Sequence, residues 1–257
     1  MRNILIIGIG AGHPDYITIQ AIEAMKRAQV FFVTDKGAAK ADLVRARTEI
    51  CERHLPANSY RIVTIQDPER DRTTPAYEAA VNDWHEQRRA IYERLIAAEL
   101  GPDDCGAFLV WGDPSLYDST LRIVQQMAAR ATVPFEFEVI PGITAIQALT
   151  ARHRIPLNDI GESVRITTGR QLAAAPSLDG EDVVVMLDGA CAFKTIVDSN
   201  VDIYWGAYLG TEDEILLSGE LSSTAEKIEQ VRAAARERKG WIMDTYLLRR
   251  PARKQPQ

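Results

Sequence analysis

Three short stretches carry residue types that could do chemistry. The first is Gly8-Ile9-Gly10-Ala11-Gly12-His13-Pro14, which follows an apolar run from Asn3. Its alternate glycines let the backbone pass close to a ligand with no side chain between. The pattern falls one glycine short of the dinucleotide fingerprint G-x-G-x-x-G, whose third glycine would stand where His13 stands. The second stretch is Trp111-Gly112-Asp113-Pro114. Its Asp could cap a following helix or accept a ribose hydroxyl, and the same residue types make ordinary turns. The third, Pro141-Gly142-Ile143-Thr144-Ala145, leads a strand into a helix whose first N–H groups are unused donors. Asp35-Lys36-Gly37 closes another apolar run. Lys36 could keep the Asp35 carboxylate ionised and polarise a carbonyl, or the two could simply pair.

These stretches need a scaffold that brings them to one rim. Strands are expected at Asn3 to Ile9, Gln29 to Thr34, Tyr60 to Ile65 and Ala107 to Trp111, alternating with helices at Ile17 to Ala28, 38 to 53 and Ala76 to Leu100. Strand and helix in alternation mean a parallel sheet with right-handed crossovers, and ligands gather at the carboxyl ends of its strands. The second half reads differently. Phe135 to Ile140 alternates apolar and charged residues, and close-set strands follow at Val164 to Thr168, Val183 to Leu187, Ile203 to Leu209 and Ile215 to Leu217. A helix from Ser223 to Arg238 and a strand from Trp241 to Leu248 close the pattern. The expectation is a two-domain α/β protein with a parallel N-terminal sheet (1–117), a mixed C-terminal sheet (118–249) and a polar tail (250–257).

The chain has 257 residues and a formal net charge of −6, which argues against nucleic acid or an anionic membrane surface as partner. Its three cysteines are far apart and odd in number, a reduced intracellular pattern without zinc spacing. His13, His54, His85 and His153 are scattered, so no metal site is expected. With no signal-peptide core and no apolar span, the expected location is the cytoplasm.

Taken together, Gly8-x-Gly10-x-Gly12-x-Pro14-x-x-x-Thr18, Trp111-Gly112-Asp113-Pro114 and Pro141-Gly142-Ile143-Thr144-Ala145 resemble the tetrapyrrole methylase family, in the family's order and over nearly the whole chain. The resemblance implies two α/β domains with a cleft between them, a homodimer, and S-adenosyl-L-methionine bound in a folded shape. It places cofactor contacts on Gly10, Pro14, Trp111, Gly112, Asp113, Leu116, Thr144 and Ala145. Asp188-Gly189 stands where the family commonly has Met-Gly, and Leu209 where it has a small residue, so adenine-side contacts would fall on Asp188 and Leu209. The stretches VFFVTDKG (Val30 to Gly37), DPERDR (Asp67 to Arg72) and GWIMDTYLLR (Gly240 to Arg249) are similar to the deacetylating branch of that family. That branch methylates ring carbon C-1 of precorrin-5 and releases acetate.

Such a substrate carries many carboxylates, so a basic outer cleft is expected despite the acidic total; Lys36, Arg70, Arg72, Arg88 and Arg89 are the candidates. Acetyl release needs a base for water. Asp35, beside Lys36, is ranked first, with Asp113 also on the rim. The competing readings are a nicotinamide-dependent oxidoreductase, for which Asp35 would be the ribose-binding acid, and a non-catalytic tetrapyrrole- or nucleotide-binding protein.

Overall fold

The computed structural model describes residues 1–35, 41–68, 77–197 and 200–250. The chain divides into two compact units, Met1–Thr144 and Ala145–Gln257.

The first unit is built on β1 (Asn3–Gly8), β2 (Val30–Asp35), β3 (Arg61–Gln66), β4 (Cys105–Val110) and β5 (Glu136–Ile140). Their order is β3-β2-β4-β1-β5, and every pairing is parallel. Helices α1 (Ile19–Met25) and α2 (Ala41–His54) pack Ala21, Met25, Ile50 and Cys51 against Leu5, Ile7 and Phe31 on one face. Helices α3 (Tyr77–Glu99) and α4 (Thr120–Arg130) pack Tyr92, Ile96, Ile123 and Met127 against Ile4, Ile6 and Phe108 on the other. The central strands β1, β2 and β4 are almost wholly buried, which is why they read as unbroken apolar runs, while β3 and β5 lie at the two edges. The chain leaves β1 towards one face and β4 towards the other, and these two strands are neighbours. Their carboxyl ends therefore form the switch point of the sheet, where open α/β folds bind ligands.

The alternating stretch expected in a mixed C-terminal sheet is β5, which pairs with β1 from Asn3↔Glu136 to Ile7↔Ile140. It is an edge strand, and its alternation does not follow burial: Phe137 and Val139 are exposed, Glu138 is half-buried and Ile140 is buried. This pairing carries the first unit past the expected limit at 117 to Thr144.

The second unit holds α5 (Ala145–His153), β6 (Val164–Thr168), α6 (Gly169–Ala174), β7 (Asp182–Met186), β8 (Asp202–Ala207), β9 (Ile215–Glu220), α7 (Leu221–Lys239) and β10 (Asp244–Arg249). Its sheet has the order β6-β7-β10-β8-β9. Only β6 and β7 run parallel, so the sheet is mixed as expected. A buried polar network holds its centre. Arg232 Nε donates to Asp244 at 2.8 Å, as does Trp205 Nε1 at 2.9 Å, and Arg232 Nη2 reaches the Asp188 carbonyl at 2.5 Å. Each charge there has a partner, which is the condition for burying it. The short α6 had no sequence signal beyond Thr168, whose hydroxyl caps it by accepting from Gln171 N. Among the described residues no helix is long and apolar enough to cross a membrane.

Candidate functional site

Three turns meet at the switch point because their glycines allow it. Gly10 and Gly112 form an isolated bridge: Gly112 N donates to Gly10 O at 2.8 Å and Gly10 N to Gly112 O at 3.3 Å. Gly142, after β5, lies against both turns. A Cβ on Gly142 would overlap the Gly112 carbonyl oxygen and stand 2.8 Å from Gly8 Cα. A Cβ on Gly8 would stand 2.6 Å from Gly142 N. Gly112 itself has φ +71°, and a Cβ there would meet only Thr144 Cα, at 3.7 Å, and Ile143 O, at 4.0 Å. Gly112 therefore leaves room for a methyl group beside the Ile143–Thr144 backbone, unlike Gly8 and Gly142.

Asp113 locks the arrangement. One carboxylate oxygen accepts from Ser115 N at 2.8 Å and from the Ser115 hydroxyl at 2.5 Å. The other accepts from Gly142 N at 2.8 Å, tying the β4 turn to the β5 turn. Partial burial pushes the Asp113 carboxyl up, and the hydrogen bonds from Ser115 and Gly142 more than offset it, leaving it below its ordinary value. Asp113 is thus an ionised carboxylate with its oxygens occupied: a positioning group and a local negative charge, poorly suited to take up a proton. Pro114 is buried behind it, while Trp111 and Leu116 are half-buried on the same turn.

The glycine turn does not run into a helix. Pro14–Tyr16 forms one 3-10 turn, capped by His13 Nδ1, which accepts from Asp15 N at 3.1 Å. Helix α1 begins only at Ile19, capped by the Thr18 hydroxyl. A dinucleotide pyrophosphate rests on the helix N-terminus that its glycine turn opens. Here that helix start is displaced, and the nearby fixed charge is the Asp113 carboxylate. The oxidoreductase reading loses its physical basis. A cationic, phosphate-free ligand suits both features, and S-adenosyl-L-methionine, a sulfonium, fits this donor set.

On the second unit, Ala145 opens α5. Asp188 is buried, with one oxygen accepting from Ala190 N at 2.9 Å and the other from Ala192 N at 2.7 Å and the Tyr246 hydroxyl at 2.7 Å. Its side chain is committed to its own unit. The residue before it, Leu187, has φ +53° and is 65% exposed. Leu209 is buried against Gly206, and Tyr208 before it has φ +49°. Left-handed non-glycine backbone at both turns is strain of the kind held at functional sites.

The sheet brings Asp35 to the same rim at the end of β2, half-buried, its carbonyl accepting from Asp67 N at 3.3 Å. Lys36, Arg70 and Arg72 lie outside the described residues, as does the tail beyond Arg250. Arg88 is buried and held: its Nε lies 3.1 Å from Asp67, and Nη1 donates to the Ser119 hydroxyl at 2.6 Å. Arg89 is clamped by Glu86 and Glu93, each at 2.8 Å, so its charge is already matched. Pairing between β2 and β4 ends at Phe32↔Phe108. Beyond it the strands part around a cavity of about 340 Å³. Arg47, Tyr117 and Arg122 line it without having been singled out in the sequence. Tyr117 carried no pattern, yet it holds φ +51° and is 45% exposed.

The family model for Tetrapyrrole (Corrin/Porphyrin) Methylases matches residues 3–225. The chain is 51% identical over 252 residues to a precorrin-6A synthase [deacetylating] of a Sinorhizobium species, covering 98% of this chain and 97% of that one. It is 28% identical over 198 residues to a precorrin-2 C(20)-methyltransferase of the same genus, covering 72% and 64%. Among solved structures it superposes on a cobalamin synthesis related protein (CobF) of Corynebacterium diphtheriae with TM-score 0.84 and 40% identity, over 97% and 98% of the two chains. The uroporphyrin-III C-methyl transferase of Thermus thermophilus complexed with S-adenosyl homocysteine shares the fold, with TM-score 0.56, 16% identity and coverage of 96% and 91%.

Proposed function

The chain belongs to the tetrapyrrole (corrin/porphyrin) methylases, and on that premise we propose that it methylates C-1 of precorrin-5 and releases acetate, giving precorrin-6A in aerobic cobalamin biosynthesis. The observation that carries this reading is the 51% identity, across nearly the full length of both chains, with a deacetylating precorrin-6A synthase. S-adenosyl-L-methionine, when bound, supplies an electrophilic methyl group.

The residues of this chain then bind, orient and exclude water. Gly10, Pro14, Trp111, Gly112, Leu116 and Thr144 form the cofactor side of the first unit. Asp113 holds the β4 and β5 turns in register and keeps a negative charge beside a cationic ligand. Fixing donor and acceptor carbon in line contributes about 7–11 kcal/mol towards the barrier. On the second unit, Ala145 and the turns at Asp188 and Leu209 contact the adenosine. The Asp188 carboxylate is used up internally, so contact there comes from backbone and from the exposed Leu187.

Asp35, at the end of β2, takes a proton from the water that attacks the acetyl carbonyl; the C–C bond from that carbonyl to the ring breaks, acetate leaves, and the electron pair stays on C-1 for the incoming methyl group. Lys36, Arg70 and Arg72 receive substrate carboxylates, while Arg88 is already matched by Asp67. The enzyme works in the cytoplasm as a homodimer. A thermal-shift titration tests the cofactor assignment. S-adenosylhomocysteine raises the melting temperature and NAD(P) leaves it unchanged; the opposite result overturns the reading.

A further inference from the structure

The cavity between the parted ends of β2 and β4 is lined by more positive than negative charge among the described residues. Thr34, Arg47, His85, Arg88, Tyr117 and Arg122 line it. Arg47 reaches it from the middle of α2, at the seam where β2 leaves β4. Its Nε donates to the Leu109 carbonyl at 2.9 Å and its Nη1 to the Leu43 carbonyl at 2.7 Å. Both partners are neutral, and among the described residues no carboxylate pairs with it. Burial pulls this guanidinium below its ordinary value, against the opposing pull of Asp118. A half-buried cation whose hydrogen bonds go only to carbonyls is incompletely compensated.

Arg122 stands exposed at the mouth, on the first turn of α4, paired with nothing among the described residues. The charges can be matched. Asp67 answers Arg88, and Asp118, which lines the same cavity and accepts from Thr120 N, offsets one more. Among the described residues that line the cavity, one guanidinium is left in excess. The space of about 340 Å³ lies at the low end for small-molecule sites, about 300–1,000 Å³. It is too small for a four-ring macrocycle and ample for one acidic side arm.

The geometry points to a carboxylate site: Arg47 at the inner end and Arg122 at the mouth grip one carboxylate-bearing arm of the tetrapyrrole and so set the rotation of the ring on the rim. This rests on the methylase reading. The same chemistry would accept a free small carboxylate such as the released acetate, and the test separates the two.

Calorimetry of the full-length parent, Arg122→Ala and Arg47→Met uses two probes, precorrin-5 handled anaerobically and S-adenosylhomocysteine. Arg122 is exposed, so its variant folds whatever happens at Arg47. The expected result is an approximately tenfold loss of precorrin-5 affinity in each variant, as one charge-assisted hydrogen bond supplies, and a weaker dependence on ionic strength. S-adenosylhomocysteine affinity stays within twofold. If both variants bind precorrin-5 like the parent, the inference is overturned while the methylase reading stands. If the parent itself binds S-adenosylhomocysteine but not precorrin-5, the functional reading fails and the inference with it. A third arm titrates sodium acetate against the protein by calorimetry, with sodium chloride as control. Acetate saturating the parent while the variants keep full precorrin-5 affinity would assign the cavity to released acid and overturn the side-arm inference.

Discussion

Replacing Gly142 by alanine should disable the rim without touching a reactive group. The added Cβ would overlap the Gly112 carbonyl oxygen and press on Gly8 Cα at 2.8 Å. Both obstacles are backbone, so no side chain can swing aside. Overpacking of this kind costs about 1–3 kcal/mol, and a backbone clash belongs at the upper end. Moving Gly142 away also stretches its N–H bond to the Asp113 carboxylate, 2.8 Å long, a charged bond worth about 1.5–3 kcal/mol. The two losses share one displacement, so the expected destabilisation is about 3 kcal/mol rather than their sum. Two controls separate clash from other glycine effects. Gly112→Ala has room but φ +71°, a left-handed cost of about 1–2 kcal/mol. A Cβ on Gly189 meets nothing within 4 Å, so its alanine variant should stay within about 0.5 kcal/mol of the parent. Urea unfolding followed by tryptophan fluorescence gives the order Gly142, Gly112, Gly189, and S-adenosylhomocysteine affinity should fall further at Gly142 than at Gly112. Gly142→Ala matching the stability of the Gly189 control would refute the three-turn junction.

Asp113→Asn keeps the shape but turns an acceptor into a donor facing Ser115 or Gly142; stability drops by about 1.5–3 kcal/mol and S-adenosylhomocysteine binding weakens, both checked by titration. Asp188→Asn strands at least one of the donors Ala190 N, Ala192 N and Tyr246 OH, costing about 1–3 kcal/mol in urea melts, which distinguishes a structural carboxylate from one whose loss is felt in cofactor affinity alone. His153 is half-buried with Nε2 3.1 Å from the Trp205 carbonyl. Burial lowers its pKa below 6.5, against the opposing effects of that carbonyl and Glu214. The unfolded chain then binds the proton more readily, so stability is full above pH 6.5 and falls as pH drops through and below it; His153→Gln should flatten the difference in urea midpoint between about pH 7.5 and about pH 5.

β1, β2 and β4 were legible because burial on both faces writes each as an apolar run; β3, an edge strand, was legible from its β-branched Ile62, Val63, Thr64 and Ile65. β5 was legible as a strand and not as a member of the first sheet. The alternation Phe137, Glu138, Val139 suggested one wet face of a mixed sheet, but β5 is the edge of the parallel sheet, with both apolar residues exposed and Glu138 paired with Arg27 at 2.6 Å. The three glycine turns were legible as ligand-approach sites. Their junction was not, because the bond between Asp113 and Gly142 spans 29 residues and leaves no local trace. Asp188 shows the converse. Its place after β7 suggested a contact, but three donors already occupy it. Arg89 looked like a free cation until Glu86 and Glu93, one turn away on either side, closed on it. Arg47 was invisible, one charge among several on α2, and only the parting of β2 from β4 gives it a role.

The central claim is the reaction. Mass spectrometry of the product from precorrin-5 and S-adenosyl-L-methionine tests it most directly. The account predicts a macrocycle that has gained one methyl group and lost its acetyl group, with acetate appearing in equal amount. A product that gains the methyl and keeps the acetyl, or unchanged precorrin-5 in the presence of bound cofactor, would contradict it.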